Sequence, residues 1–417
     1  MLSKNKIFFV LFLLVLLSEI LAPVWVKPVD ELLLLLFLLV IALDLIVNRD
    51  FVRYKSLFVL EGIFLFYFVF SVLFRDFNTV GAIINDFILE QKAFVPFIIA
   101  YAMAPRFTAK MKATLKTLSI ATAIILALLF FSKLTKLVLG HVYHYGTISV
   151  SVSLLYLYCS IDNDGKVPLR DMIVGILLLS VGLLGTRSKF FGEYVAILFM
   201  FFVYRPGLVR NLNFKHAMVL VLGMVCIVVV AWHKIKFYFI SGAADAFSFS
   251  VDELESIARP VLYATMFLIL GDYPIFGSGL ASFASHSSSA YVNYSGVYQE
   301  YGIDKVYGLS PKMSDFVSDT YYPVLAQFGI VGIILFVYFW AWIWRKLRVI
   351  LHLGRVMEFS IGVSAICYVL IESVAGATVL QIGGYVPMML LGMIVSSCRL
   401  MSKEEKNKIL SNDYIQN

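Results

Sequence analysis

The sequence predicts an all-α polytopic membrane protein. It has about twelve transmembrane helices and one large, mostly helical extracytoplasmic loop. Three observations predict this. The chain of 417 residues is 61% hydrophobic with a mean hydropathy of +0.88, more apolar surface than a water-soluble fold of this length can hide. Only 15% of it is charged, against roughly 25% in soluble domains. Its apolar runs are long enough to cross the hydrocarbon layer, and basic residues recur at every second gap between them.

Taken in order, the spans fall near 7–26, 31–47, 56–74, 80–104, 118–139, 147–161, 172–187, 189–204, 216–233, 321–343, 357–373 and 379–398. The first follows Lys4 and Lys6 and lacks a small-residue cleavage site before Lys27, so it reads as an uncleaved helix. The fourth carries Asp86, Glu90 and Lys92, which suits a segment that is partly interfacial or lines a cavity. Basic groups such as Lys110, Lys112 and Lys116, Arg205, Arg210 and Lys215, and Arg345, Lys346 and Arg348 mark the cytoplasmic loops. Both termini are then cytoplasmic, in a bacterial inner membrane. Trp340, Trp342 and Trp344 suit an interfacial aromatic belt. The net charge of +7 is thus explained by orientation in the bilayer, and no nucleic acid partner is expected. Cys159, Cys226, Cys367 and Cys398 lie in or beside apolar runs without metal or redox spacing and read as packing residues.

The organisation that follows is nine helices in 1–233, an outer loop over 234–320, three helices in 321–398, and a cytoplasmic tail over 399–417. A connection as long as the outer loop is either functional or disordered. Its apolar stretches and tyrosines predict that it folds.

Four constellations carry possible chemistry. Gly185-Thr186-Arg187-Ser188-Lys189 sits at an outer turn. A guanidinium there can hold a lipid-linked diphosphate bidentately, or it can simply snorkel and set topology. Ala258-Arg259-Pro260 opens a helix, because proline suits the first helical turn. Arg259 and the free N–H groups there make an anion site, unless Asp252, Glu253 and Glu255 neutralise the arginine. Asp272-Tyr273-Pro274-Ile275-Phe276-Gly277-Ser278-Gly279 marks a turn after that helix. Asp315 to Tyr322 leads into Pro323 to Ile330, with Asp319 at the outer mouth of the tenth span. Asp319 can accept a proton from, or a hydrogen bond with, a sugar hydroxyl, and it can also cap the helix with Thr320. His286 lies in a serine-rich stretch expected to be mobile and near the site. His141 and His144 lack a nearby carboxylate, so no metal is expected, and no other cofactor.

The order of these elements resembles the O-antigen ligase / O-antigen polymerase superfamily of bacterial surface-polysaccharide enzymes. The residues that carry the resemblance are Thr186-Arg187-Ser188, Arg259 with Tyr263, Pro274 with Gly277 and Gly279, and Asp319 with Tyr322, Leu325, Gly329 and Ile330, over roughly residues 180 to 345. The family often has tryptophan where Tyr263 stands. The ligases have a histidine where Ser318-Asp319-Thr320 falls, which favours the polymerase branch.

The resemblance implies a GT-C-like glycosyltransferase, metal-independent, acting on undecaprenyl-diphosphate-linked oligosaccharides at the outer face of the membrane. Arg187, Arg259 and Asp319 would be catalytic. Lys189, Lys312, His286, Tyr263, Tyr321, Tyr322 and Asp315 would bind substrate, the tyrosines by stacking on sugars. The bilayer and a polysaccharide chain-length regulator are the further partners implied. The competing readings are a ligase that moves finished glycan to lipid A-core and a lipid-linked oligosaccharide flippase. A flippase would more often show repeated halves, which this sequence lacks.

Overall fold

A computed structural model of the chain describes residues 4–25, 29–185, 188–203 and 258–400. Among these residues the protein is helical, with one isolated bridge between Ser310 and Met313 and no strand. The helices are α1 (Lys4–Trp25), α2 (Val29–Asn48), α3 (Lys55–Phe74), α4 (Val80–Gln91), α5 (Val95–Met103), α6 (Ala109–Phe131), α7 (Thr135–Val138), α8 (His144–Cys159), α9 (Leu169–Ser180), α10 (Ser188–Leu198), α11 (Ala258–Asp272), α12 (Val297–Glu300), α13 (Gly329–His352), α14 (Val356–Glu372) and α15 (Tyr385–Ser396). The expected ninth span at 216–233 lies outside the described residues.

Three of these segments are long and apolar enough to cross a membrane: Phe51–Phe74, Ala109–Phe131 and Gly329–His352. They bury little of themselves. Leu65, Phe66, Leu73 and Phe74 on α3, Leu128 and Phe131 on α6, and Ile334 and Val337 on α13 all face outward. Apolar surface of that extent needs a lipid solvent, so this is a membrane protein.

The opposite arrangement holds at the centre. Every residue of α15 is buried, and so are most of those in α8. Close approach is bought with small residues, as expected where lipid removes the hydrophobic drive between helices. A Cβ on Gly392 of α15 would lie 2.4 Å from the Phe97 carbonyl oxygen of α5. Gly146 of α8 and Gly182 make room for the Phe190 ring of α10, whose atoms a Cβ would meet at 2.9 and 2.2 Å.

Two expected spans are broken. The run 80–104 is not one helix: α4 ends at Gln91 and α5 starts at Val95. Pro96 cannot donate the N–H a continuous helix needs. The charges of this run are engaged as well. Lys92, buried at the break, pairs with Asp30 Oδ2 at 2.9 Å and with Glu31, and Asp86 accepts the Ala281 N–H at 2.7 Å. The run 321–343 also starts late. Tyr322–Gln327 form a 3-10 turn, and the α-helix begins only at Gly329.

The described part of the outer loop is less helical than expected. After α11 it is mainly turns, laid over the α3–α4 corner. Gly277 (φ 73°) and Gly329 (φ 63°) pack directly on one another's strands of chain. A Cβ on Gly277 would sit 2.3 Å from the Ala326 oxygen, and one on Gly329 would sit 2.4 Å from the Gly277 nitrogen. Hydrogen bonds run both ways across this knot. Ser278 and Gly279 donate to Ala326 and Gln327, and Ile330 and Val331 donate to Pro274 and Ile275. Arg75 completes it by donating to the Gly277 carbonyl from Nη2 at 3.1 Å while lying over the Tyr273 ring. The Pro-x-x-Gly-x-Gly turn and the Gly-Ile that opens α13 are therefore one structural unit.

The serine-rich stretch is fixed rather than mobile. Ser287 donates to Asn85 Oδ1 at 2.8 Å, and the buried Tyr298 hydroxyl accepts from Ala284 N–H at 2.8 Å. Only His286 and Ala290 of 281–290 are exposed.

Gly277→Ala is expected to lose upwards of about 3 kcal/mol, from a backbone clash added to a left-handed φ. Gly302→Ala also has a left-handed φ of 66° but open space around its Cβ, and should lose only about 1 kcal/mol. Thermal unfolding of the two detergent-purified variants checks the difference.

Candidate active site

α14 ends at Glu372; the turn Ser373–Ala375 donates back to Val369, Ile371 and Glu372, which leaves Leu370 O and the carbonyls of the turn itself in need of donors. Three distant segments meet there. The Tyr322 hydroxyl donates to Leu370 O at 2.8 Å, and the Tyr321 N–H donates to Ser373 O at 3.1 Å. The Tyr263 hydroxyl donates to Val374 O at 2.8 Å. Lys189 Nζ donates to Ala375 O at 3.1 Å and to Glu372 Oε1 at 2.7 Å. A cation at this end also complements the helix dipole. Glu372 Oε1 takes a second bond from Thr378 Oγ1 at 2.7 Å.

These contacts hold an ion pair. Arg259 stands at the start of α11, just before Pro260, and its Nη2 contacts Asp319 Oδ2. Their side chains keep 28% and 29% of their surface, so the pair remains reachable. Tyr263 follows Arg259 by one helical turn and shares its face. Its bond to Val374 thus fixes the face that carries the arginine. Asp319 is followed by the buried Thr320 and by Tyr321, whose N–H is fixed on Ser373. Both partners are therefore tied to the end of α14. Asp319 is not a helix cap: its own N–H bonds to Phe316 O at 3.3 Å, and α13 begins ten residues later at Gly329. Burial, with Tyr322 close by, pushes the Tyr263 phenol up and keeps it a donor.

A second cluster lies on the outer turns. The exposed His286 ring stacks on Tyr291 at 6.1 Å and 15°, and the Tyr291 hydroxyl donates to Asp315. That bond pushes the Tyr291 phenol up. Burial and the Lys92 ammonium push the His286 imidazole down. Lys312 is exposed nearby in sequence. Tyr321, by contrast, is buried, with its ring on Phe336 at 5.9 Å. Thr186, Arg187, Asp252, Glu253 and Glu255 lie outside the described residues. Among those described, no group of three or more His, Cys, Asp or Glu is placed to hold a metal ion.

A groove of about 660 Å³ runs between α3 and α13. It is mostly apolar, lined by Phe64, Phe94, Leu325 and Trp342 among others, and it reaches Glu90 and Tyr321.

Residues 172–337, from within α9 to the middle of α13, match the family model described as O-antigen ligase. This segment is similar to the O-antigen ligase family. No curated protein matches the chain significantly. The matched segment contains Lys189, Arg259, Tyr263, Asp319, Tyr321 and Tyr322, so most of what converges on the end of α14 belongs to it.

Glu372 lies beyond the matched segment and was missed by sequence reasoning, as was Glu193 of α10. The available signal was an acid inside an otherwise apolar run, which is costly and needs a partner or a task.

Tyr322→Phe leaves the Leu370 carbonyl of α14 without its donor, and Tyr263→Phe the Val374 carbonyl just beyond that helix. Each is expected to cost about 1 kcal/mol, read as a lower thermal midpoint. Lys92→Gln should raise the His286 pKa by removing a neighbouring positive charge, as measured by NMR titration of histidine-labelled protein.

Proposed function

We propose that this protein is a polymerase of O-antigen or capsular polysaccharide. It joins undecaprenyl-diphosphate-linked oligosaccharide repeat units at the outer face of the inner membrane. The observation that carries this reading is the accessible Arg259–Asp319 pair, fixed at a helix N-terminus inside the segment similar to the O-antigen ligase family.

The chemistry follows from that pair. The donor diphosphate binds the Arg259 guanidinium at the start of α11, with Arg187 as a second cation. Binding draws Arg259 away from Asp319 and leaves the carboxylate free to accept the proton of the acceptor hydroxyl. The acceptor oxygen bonds to the anomeric carbon as the bond from that carbon to the diphosphate oxygen breaks. The electron pair leaves with the lipid diphosphate, whose charge the arginines hold. The apolar groove that Tyr321 helps to line, two residues beyond Asp319, suits the isoprenoid chain of a lipid-linked substrate. Exposed Tyr291 offers an amphipathic ring to a sugar face. Asp319, standing where the ligases have histidine, favours a second lipid-linked repeat unit as acceptor. The description of the matched family favours the alternative, a ligase with lipid A-core as acceptor. No observation favours a flippase.

Purified protein given a lipid-linked repeat unit alone is expected to make a ladder of products. Transfer that requires added lipid A-core identifies the ligase, and absence of transfer under both conditions rejects the glycosyltransferase reading. Arg187→Ala, Arg259→Ala and Asp319→Asn should each lower turnover by about a hundredfold or more, with unchanged protein levels in the membrane.

A further inference from the structure

The outer turns carry aromatic rings on their surface that the mechanism does not use as a set. Tyr291 is 63% exposed, Tyr307 55% and Phe316 37%. The rings stand in two pairs. His286 lies on Tyr291 with centroids 6.1 Å apart, and Tyr307 meets Phe316, also at 6.1 Å. Adjacent residues join the pairs: Asp315 accepts the Tyr291 hydroxyl bond, and Phe316 supplies a ring of the second pair. Exposed apolar rings gathered in one place, unlike single scattered ones, mark an interaction surface.

The rings are held in position. The Phe316 N–H donates to Gly308 O at 3.0 Å, and the Phe316 ring fills the space that Gly308 leaves open. A Cβ on Gly308, whose φ is 82°, would sit 2.1 Å from Phe316 Cδ2. The Tyr294 hydroxyl donates to Leu309 O at 2.6 Å, and the Ala290 N–H to Ser314 Oγ at 3.3 Å. These bonds lace the turns at 286–295 and 308–316 together, so little ordering is left for a ligand to impose.

Polar groups interrupt the rings. Asp315, Lys312 and His286 are all exposed on the same two turns. An occupant must therefore offer apolar faces and hydrogen-bonding edges in alternation. A sugar has that character: its C–H faces stack on aromatic rings, while its hydroxyls bond to carboxylate and ammonium groups. The bilayer interface also accepts tyrosine, but it offers no partner to a carboxylate set between two ring pairs. The location agrees with a sugar. The Asp319 N–H donates to Phe316 O at 3.3 Å, so the ring surface continues directly from the proposed site.

We propose that Tyr291, Tyr307 and Phe316, joined by Asp315, form a glycan-holding surface. It binds sugars beyond the one that reacts and retains a growing chain between additions. The retention rests on the glycosyltransferase reading; the sugar binding does not.

The probe is the surface polysaccharide of the cells that make this protein, released by mild acid and cut to lipid-free oligosaccharides. The full chain in nanodiscs is expected to bind it. Tyr291→Ala combined with Tyr307→Ala should weaken that binding about tenfold or more at an unchanged melting temperature, and should shorten the products of transfer. Tyr291→Phe keeps the ring and loses the bond to Asp315, so it should bind within about threefold of wild type. Undiminished binding in the double variant overturns the inference, and so does an equal loss in Tyr291→Phe and Tyr291→Ala. A spin label on Tyr307→Cys that oxygen relaxes and aqueous nickel does not would put the rings in the bilayer and overturn it as well. If wild type binds the oligosaccharide through these rings but transfers no sugar, the function proposed above fails and the surface stands. Transfer without ring-dependent binding keeps the function and removes the surface.

Discussion

The buried end of α14 is the constraint on which the rest of the site depends. A helix that stops at a surface can leave its final carbonyls to water. This one stops inside, so the chain must bring donors to it. It brings a lysine from α10, a tyrosine from α11, and both a backbone amide and a tyrosine from the segment before α13. Two of the donors carry a candidate site residue with them. Tyr263 brings Arg259 one turn away, and Tyr321 brings Asp319 two residues away. An ion pair between groups sixty residues apart in sequence is thus set by where four carbonyls need hydrogen bonds.

The glycine knot does the equivalent work on the other side of Asp319. Gly277 and Gly329 touch without side chains between them, which locks the turn after α11 to the start of α13. Asp319 lies on the stretch of chain between this knot and the end of α14. Its segment is held at both ends while its carboxylate stays accessible, an arrangement suited to the exchange of an arginine for a sugar hydroxyl proposed above. Arg75 and Asp86 tie the same turns to α3 and α4, so the outer region is built onto the membrane helices and not hung from them.

Two lysines inside the apolar part are handled by pairing. Lys92 meets Asp30 and Glu31, and Lys189 meets Glu372. In each case the lysine is buried or partly buried and its partner comes from another helix. These pairs therefore fix the mutual placement of helices that apolar contact alone, in a lipid solvent, would leave loosely specified.

The sequence by itself determined the solvent, the helical class and the residues with chemical potential. Composition demands lipid, and an arginine before a proline, or an aspartate before a tyrosine pair, is legible because those side chains are unusual where they stand. It also contained the order of motifs that resembles the family. The tertiary structure alone decided what each residue contacts. It split 80–104 at Lys92 because that lysine has partners on α2, and it delayed α13 to Gly329 because Gly277 occupies the space before it. It joined Arg259 to Asp319, and it turned Tyr321, Tyr322 and Lys189 from surface candidates into donors for a buried helix end. No local pattern encodes those choices, since they follow from which carbonyls are left without water, and that is known only once the helices are packed.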